Sequence, residues 1–311
     1  MKVLPDTKTF MRELIKVNVI NTQLSMKELS TLEQLCFCTT RIEATSPNGH
    51  KYYGTGFFYM FPLEEEGKGL IYLVTNRHLA QNMKEIKFGI SKEGSDGSPI
   101  FEPPVFLVYN MPDAILYHPN ESIDLCAIPV TYFFKICKEN GQKLFYRCID
   151  RHNIPNSSQS ESLEPIEDIL FIGYPNGLWD ELNNMPLVRK GITASAPYLD
   201  YNGKKEFVID AACFPGSSGS PVFLYNNGSY RDKVNHGIVL GSRLYFLGIL
   251  YGGPSSLIRS KIATGGVASN SKSVEMTTNI PNNLGYVIKA EIMNDFIPLV
   301  EIQTHSKIKK I

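Results

Sequence analysis

From residue 35 onward the chain alternates short β-branched and aromatic runs with clusters of Gly, Asn and Pro, the pattern of antiparallel hairpins. Residues 35–45, 52–61, 70–76, 85–90, 104–110, 114–118 and 124–130 form a first series of strand-length segments, and 167–175, 186–197, 205–212, 219–225, 236–253 and 283–290 a second. No helical pattern of fifteen residues separates them, so the fold class is all-β, two antiparallel β-barrels. Before them, apolar positions at three- and four-residue steps predict short helices over 9–16 and 25–34, the second capped by Ser25 or Ser30. After them, Ala290 to Glu301 reads as a closing helix. The polar stretch around Pro155 and Pro165 is the linker. The resulting division is a helical extension over 1–34, a first barrel and connection over 35–150, a linker over 151–165, and a second barrel with its helix over 166–311. The Ser-, Thr-, Gly- and Asn-rich stretch 259–283 is read as a surface loop.

Composition narrows the function classes. With 311 residues, 43% of them hydrophobic, the chain can bury a sizeable core. Lys and Arg number 31 against 31 Asp and Glu, so no global positive field exists to hold a phosphate backbone, and no nucleic-acid partner is expected. No phosphate loop or dinucleotide fingerprint occurs, and no cofactor is implied. No run of eighteen apolar residues and no apolar leader stretch appears, which predicts a soluble, cytoplasmic protein without a membrane partner. The six cysteines include no Cys-x-x-Cys pair, so reduced thiols are expected and no metal.

The segment from Phe214 to Pro221, Phe-Pro-Gly-Ser-Ser-Gly-Ser-Pro, lies between two strand-like runs and carries the chemistry. Gly-x-Ser-Gly permits a tight turn whose amides face one concavity, so Gly216 N–H and Ser218 N–H can donate to a developing oxyanion while the Ser218 hydroxyl attacks. A serine hydroxyl is a weak nucleophile and needs a base, and the base needs an orienter. Of six histidines, His78 follows an apolar strand through Thr75 and Asn76 into a turn, whereas His50, His152, His236 and His305 occupy turn-like or terminal contexts. His118, followed by Pro119, reads as a strand-end residue. Asp124 opens the apolar run 124–130 and is the candidate orienter. His78 and Asp124 on the first β unit and Ser218 on the second place the site in the cleft between them.

These residues resemble the chymotrypsin-like serine peptidases, in particular the HtrA (DegP-like) branch. Thr75-Asn76-Arg77-His78 resembles the catalytic-histidine segment, Asp124-Leu125 the aspartate segment, and Asp210-Ala211-Ala212 followed by Pro215 to Pro221 the nucleophile segment. Gly54-Thr55-Gly56-Phe57 and the strand from Leu284 to Ile288 are also similar, so the resemblance spans about 35 to 300. Ser217 and Ser220 depart from it, standing where the HtrA-like motif has Asn and Gly, and Ser220 adds a side chain after the nucleophile turn. With about ten residues after the expected last helix, the PDZ module of HtrA proteases is not expected here.

The resemblance implies a serine endopeptidase acting on protein or peptide substrates through an acyl-enzyme, with His78, Asp124 and Ser218 as the triad. It also implies a substrate pocket formed by Ala212, Cys213 and Phe214 on one side and by Leu250, Tyr251, Gly252 and Gly253 on the other. With no acid at its floor, the pocket is expected to disfavour Arg and Lys at P1 and to take a small or medium apolar side chain. Small apolar packing accounts for Cys213, and Trp179 is read as a packed loop residue bordering the cleft. The alternative is a catalytically silent or partner-activated peptide-binding module on the same scaffold, with an activating protein docking on the extension or on 259–283.

Overall fold

A computed structural model describes residues 15–16, 29–65, 67–233, 236–263 and 273–309. Most of the expected helical extension lies outside these residues. Its described part differs in two ways. Ile15–Lys16 (β1) pair with Gly69 and Lys68 as a strand, because an available strand edge outweighs weak local helix preference. The second helix covers Thr31–Cys36 and starts at a capping box, with Glu33 N–H donating to Ser30 Oγ at 3.3 Å and Ser30 N–H donating to Glu33 Oε2 at 2.7 Å.

The first series becomes β2 (Thr39–Thr45), β3 (Lys51–Pro62), β4 (Lys68–Thr75), β5 (Glu85–Glu93), β6 (Pro99–Tyr109), β7 (Leu116–Tyr117), β8 (Cys126–Pro129) and β9 (Leu144–Phe145). They form one antiparallel sheet in the order β6-β5-β2-β3-β4-β8-β7, with β1 on β4 and β9 on β5. The register sets Phe57 of β3 opposite Val74 of β4, and Thr75 opposite Cys126 of β8. The ends of β4 and β8 that carry His78 and Asp124 are therefore neighbours. A helix, Thr131–Glu139, follows β8, and the linker stretch holds a short helix, Ser157–Glu161.

The second series becomes β10 (Asp168–Gly173), β11 (Leu187–Thr193), β12 (Glu206–Asp210), β13 (Pro221–Asn226), β14 (Ser229–Arg231), β15 (Ile238–Leu240), β16 (Arg243–Gly252), β17 (Ser255–Ala263), β18 (Ser273–Pro281) and β19 (Leu284–Lys289). Six of these close a barrel in the order β10-β11-β12-β19-β16-β13. β14 and β15 form a hairpin beside it. The stretch read as a loop over 259–283 instead supplies most of a second hairpin, β17 with β18, paired from Ser255–Pro281 to Ala263–Ser273. Its polar sequence lacks the apolar alternation by which a half-buried strand is recognised, so backbone pairing there leaves little trace in the pattern. Residues 264–272 are outside the described part. The closing helix is one irregular 3-10 run, Ala290–Phe296, leading into an α-helix, Ile297–Thr304.

The two halves share a core. Phe57, Tyr59, Phe61, Tyr72 and Val74 of the first sheet pack with Phe223, Phe246, Ile249 and Ile288 of the barrel and with Met293, Phe296 and Val300 of the C-terminal segment. The Phe57 and Phe246 rings meet edge-on, 5.4 Å between centres. This continuous apolar layer fixes how the two sheets face each other.

Candidate active site

His78 occupies a single helical turn, Arg77–Ala80, directly after β4. Asn76 caps that turn in extended conformation and donates from Nδ2 to the Asp124 carbonyl at 2.8 Å. Asp124 holds His78 twice: its Oδ1 accepts from the His78 N–H at 3.0 Å, and its Oδ2 lies 2.5 Å from Nδ1. A carboxylate only accepts, so Nδ1–H is the donor to Asp124 and Nε2 points away from that bond. The imidazole is half-exposed and the carboxylate largely covered, at 48% and 26% side-chain exposure.

The nucleophile turn is built on two glycines in left-handed conformation, Gly216 at φ 86° and Gly219 at φ 88°. A Cβ on Gly219 would stand 1.9 Å from the Thr55 carbonyl, and one on Gly216 2.6 Å from the Tyr174 carbonyl, so both positions exclude a side chain. Around the turn, Ser217 N–H donates to Phe214 O, Gly219 N–H to Leu250 O and Ser220 N–H to Ser217 O. Among the described residues, the Gly216 and Ser218 amides donate to no protein acceptor. Two uncommitted N–H groups flanking a serine hydroxyl are the donors an oxyanion requires.

Thr55 of β3 ties this turn to the first sheet. Its N–H donates to Ser218 O at 2.9 Å, and its hydroxyl donates to Gly216 O at 3.0 Å while accepting from Tyr174 N–H at 3.1 Å. Its carbonyl accepts from the Thr75 hydroxyl at 2.7 Å. Ser220, the additional side chain, is fully buried with its hydroxyl 3.3 Å from Thr55 Oγ1, in space left by the missing Cβ of Gly173. It packs toward the first sheet.

The Ser218 hydroxyl donates to the Tyr251 carbonyl at 3.4 Å, and no hydrogen bond joins it to His78 among the described residues. Tyr251 is fixed in turn by its phenol, which donates to Glu206 Oε2 at 2.6 Å, and by stacking on Tyr286. Burial, then the Glu206 carboxylate, pushes the phenol pKa well up.

Beside Ser218 lies a cavity of about 290 Å³. Of the seven residues expected there, Cys213, Phe214, Leu250, Gly252 and Gly253 line it, and Ala212 and Tyr251 do not. Pro215, Ser217, Pro254, Ser255 and Leu284 complete the wall. Pro254 leads into β17 and Ser255 is its first residue, so the β17–β18 hairpin reaches the pocket wall. The lining carries no acid or base. Cys213 is a buried thiol pushed up to about 11 by burial, neutral at ordinary pH.

The other candidates are structural. His118 is buried, its Nε2 3.2 Å from Asp295 and its ring against Phe296. His152 pairs with Asp150. Trp179 lies between Tyr174 and Phe106, 6.4 and 6.5 Å between ring centres. Among the described residues no group of three His, Cys, Asp or Glu side chains could hold a metal ion, and no helix is long and apolar enough to cross a membrane.

Comparison with known proteins agrees with this geometry at the level of family. No curated protein matches the chain. Solved structures similar to it include one described as HL collagenase (10% identity, 88% of this chain and 95% of that one, TM-score 0.42). Others are Deg5 (14% identity, 71% and 82%, TM-score 0.40) and the MamO protease domain from Magnetospirillum magneticum (12% identity, 85% and 97%, TM-score 0.37). The model of the trypsin-like peptidase domain matches residues 54–229, which contain His78, Asp124 and Ser218, and the chain belongs to that family.

Proposed function

We propose that the chain is a serine endopeptidase that cleaves protein or peptide substrates through an acyl-enzyme. The observation that carries this reading is the doubly bonded His78–Asp124 pair on the sheet to which Thr55 ties a serine turn with two uncommitted amides. Ser218 Oγ attacks the scissile carbonyl carbon as His78 Nε2 takes its proton, and Asp124 stabilises the imidazolium through Nδ1–H. The carbonyl oxygen, now negative, is held by the Gly216 and Ser218 amides. His78 returns the proton to the leaving amine, and water, activated by the same imidazole, releases the acyl group. Cys213, Phe214, Leu250, Gly252 and Gly253 form the wall that receives the P1 side chain.

The test is labelling with a fluorophosphonate followed by peptide mapping. Modification of Ser218 in the wild type and its loss in Ser218→Ala and His78→Ala is the expected result, and a folded wild type that takes no label overturns the reading.

The position of the Ser218 hydroxyl on Tyr251 O favours a second reading, a resting peptide-binding module that a partner protein activates. In that case hydrolysis appears only when the partner is added. Hydrolysis by the isolated chain decides for the first reading.

A further inference from the structure

Among the described residues, a cation without an ion-pair partner stands behind the wall of the substrate pocket. Arg189 of β11 is paired in register with Phe171 of β10, whose side chain belongs to the barrel's buried interior. Directly opposed residues project from the same face of a sheet, so Arg189 stands on the inner face of β11. Its guanidinium carbon lies 4.9 Å from the Phe214 ring centre and 5.8 Å from that of Phe171. Phe214 and Cys213 both line the pocket. The charge reaches that wall: burial is the main influence on the Cys213 thiol, and Arg189 pulls it the opposite way.

Among the described residues Arg189 makes no ion pair and no hydrogen bond. Asp210, the acid that also acts on Cys213, is exposed and is not its partner. A second donor at the same cavity is uncommitted. Ser217 contributes to the lining, and its hydroxyl is buried with no hydrogen-bond partner. A guanidinium resting on an aromatic face gains far less than one paired with a carboxylate, and a buried hydroxyl without a partner is a cost the substrate can remove. No acid lines the cavity to compete.

We propose that this pocket selects a P1 side chain ending in a carboxylate, glutamate before aspartate, with Arg189 and Ser217 as the specificity-determining residues. The proposal rests on the endopeptidase reading and deepens it. Arg189 is held on Phe214 rather than among the lining residues, so its field draws the carboxylate in. The partly exposed Phe214 ring then turns aside to let the longer glutamate reach the guanidinium. Lysine and arginine at P1 meet only repulsion. The apolar preference expected from the missing acid gives way to an acidic one, because the sequence alone does not show which face of β11 Arg189 occupies.

The experiment uses the full chain and one peptide series differing only at P1: Glu, Asp, Gln, Leu and Arg. Glu is expected to exceed its near-isostere Gln by about tenfold or more in kcat/KM, a margin of the kind a buried charge-assisted contact supplies. The Glu-to-Gln ratio falls toward one in Arg189→Met and is partly kept in Arg189→Lys. Because the ratio is taken within each protein, a loss of folded material lowers both rates together. If a variant does not fold, the wild-type series decides alone. Gln or Leu matching Glu in the wild type overturns the proposal. A chain labelled at Ser218 that prefers Leu overturns only the P1 assignment, whereas no label and no hydrolysis overturns the endopeptidase reading and the P1 assignment with it.

Discussion

The Ser218 hydroxyl rests on the Tyr251 carbonyl at 3.4 Å, while the His78 ring is already fixed by Asp124. That contact is at the long end of hydrogen-bond geometry, so leaving it costs on the order of 1 kcal/mol. On the endopeptidase reading, a substrate amide N–H donating to Tyr251 O would compete for the same acceptor and release the hydroxyl. The His78–Asp124 pair is thus in place without a ligand, and on the endopeptidase reading only the serine hydroxyl has to leave its present acceptor.

Loss of the pair or of the nucleophile should then show in turnover rather than in binding. Ser218→Ala and His78→Ala are expected to lower kcat by about 10⁶, and Asp124→Asn by about 10⁴, with KM little changed. Steady-state hydrolysis of one peptide across the three variants checks this. A drop confined to KM contradicts the assigned roles.

At Gly216 both the positive φ and the nearby Tyr174 carbonyl forbid a Cβ. Gly216→Ala is expected to displace its amide and to cost about 10² to 10³ in kcat, the scale of one lost oxyanion donor. Fluorophosphonate labelling slows in parallel, while circular dichroism shows the same strand content.

Burial holds the Cys213 thiol protonated up to about 11. Iodoacetamide at neutral pH should leave peptide hydrolysis intact, and its reaction at this site should rise only as the pH approaches that value. Rapid inactivation by iodoacetamide near neutrality, traced by mass spectrometry to Cys213, contradicts this.

The ammonium of Lys289, bonded to Asp200 at 2.6 Å, holds that carboxyl below the usual carboxylate range, with Lys205 adding to the effect. A carboxyl with a lowered folded pKa stabilises the fold above its unfolded pKa, and the contribution disappears as the pH falls through the folded value. The Tm difference between wild type and Asp200→Asn is thus expected to be present at neutral pH and to vanish on strong acidification. Thermal melts across that range check it.

Phe57 and Phe246 join the two halves edge-on, both fully buried. Phe246→Ala is expected to destabilise by about 3–5 kcal/mol, read from urea denaturation, because the cavity opens in a layer that neither half can close alone.

The all-β class was legible in the strand-length runs, and the residues proposed for the chemistry stand out because each has a local signature. Gly216 and Gly219 mark the turn, the apolar run before Thr75 marks the strand that delivers His78, and Leu125 to Val130 mark the strand that Asp124 precedes. What stayed hidden depends on contacts between distant segments. Nothing in Ser255 to Ala263 shows that it pairs with Ser273 to Pro281, and nothing near Tyr251 shows that its carbonyl, not its ring, meets Ser218. Thr55 is one more β-branched residue in a strand until Gly216, Ser218 and Tyr174 are placed around it.

The stitching by Thr55 bears on when the chain acquires its chemistry. Every atom Thr55 contacts on the nucleophile turn belongs to a part of the polypeptide made more than a hundred residues later, and the turn's own bonds, Ser217 N–H to Phe214 O and Ser220 N–H to Ser217 O, do not reach the first sheet. During synthesis the Thr55 N–H and hydroxyl therefore await partners that have not been translated, and a chain cut between the sheets is expected to yield two fragments that each lack this junction. On the endopeptidase reading, hydrolytic competence is therefore expected to come in a single step, when the halves dock.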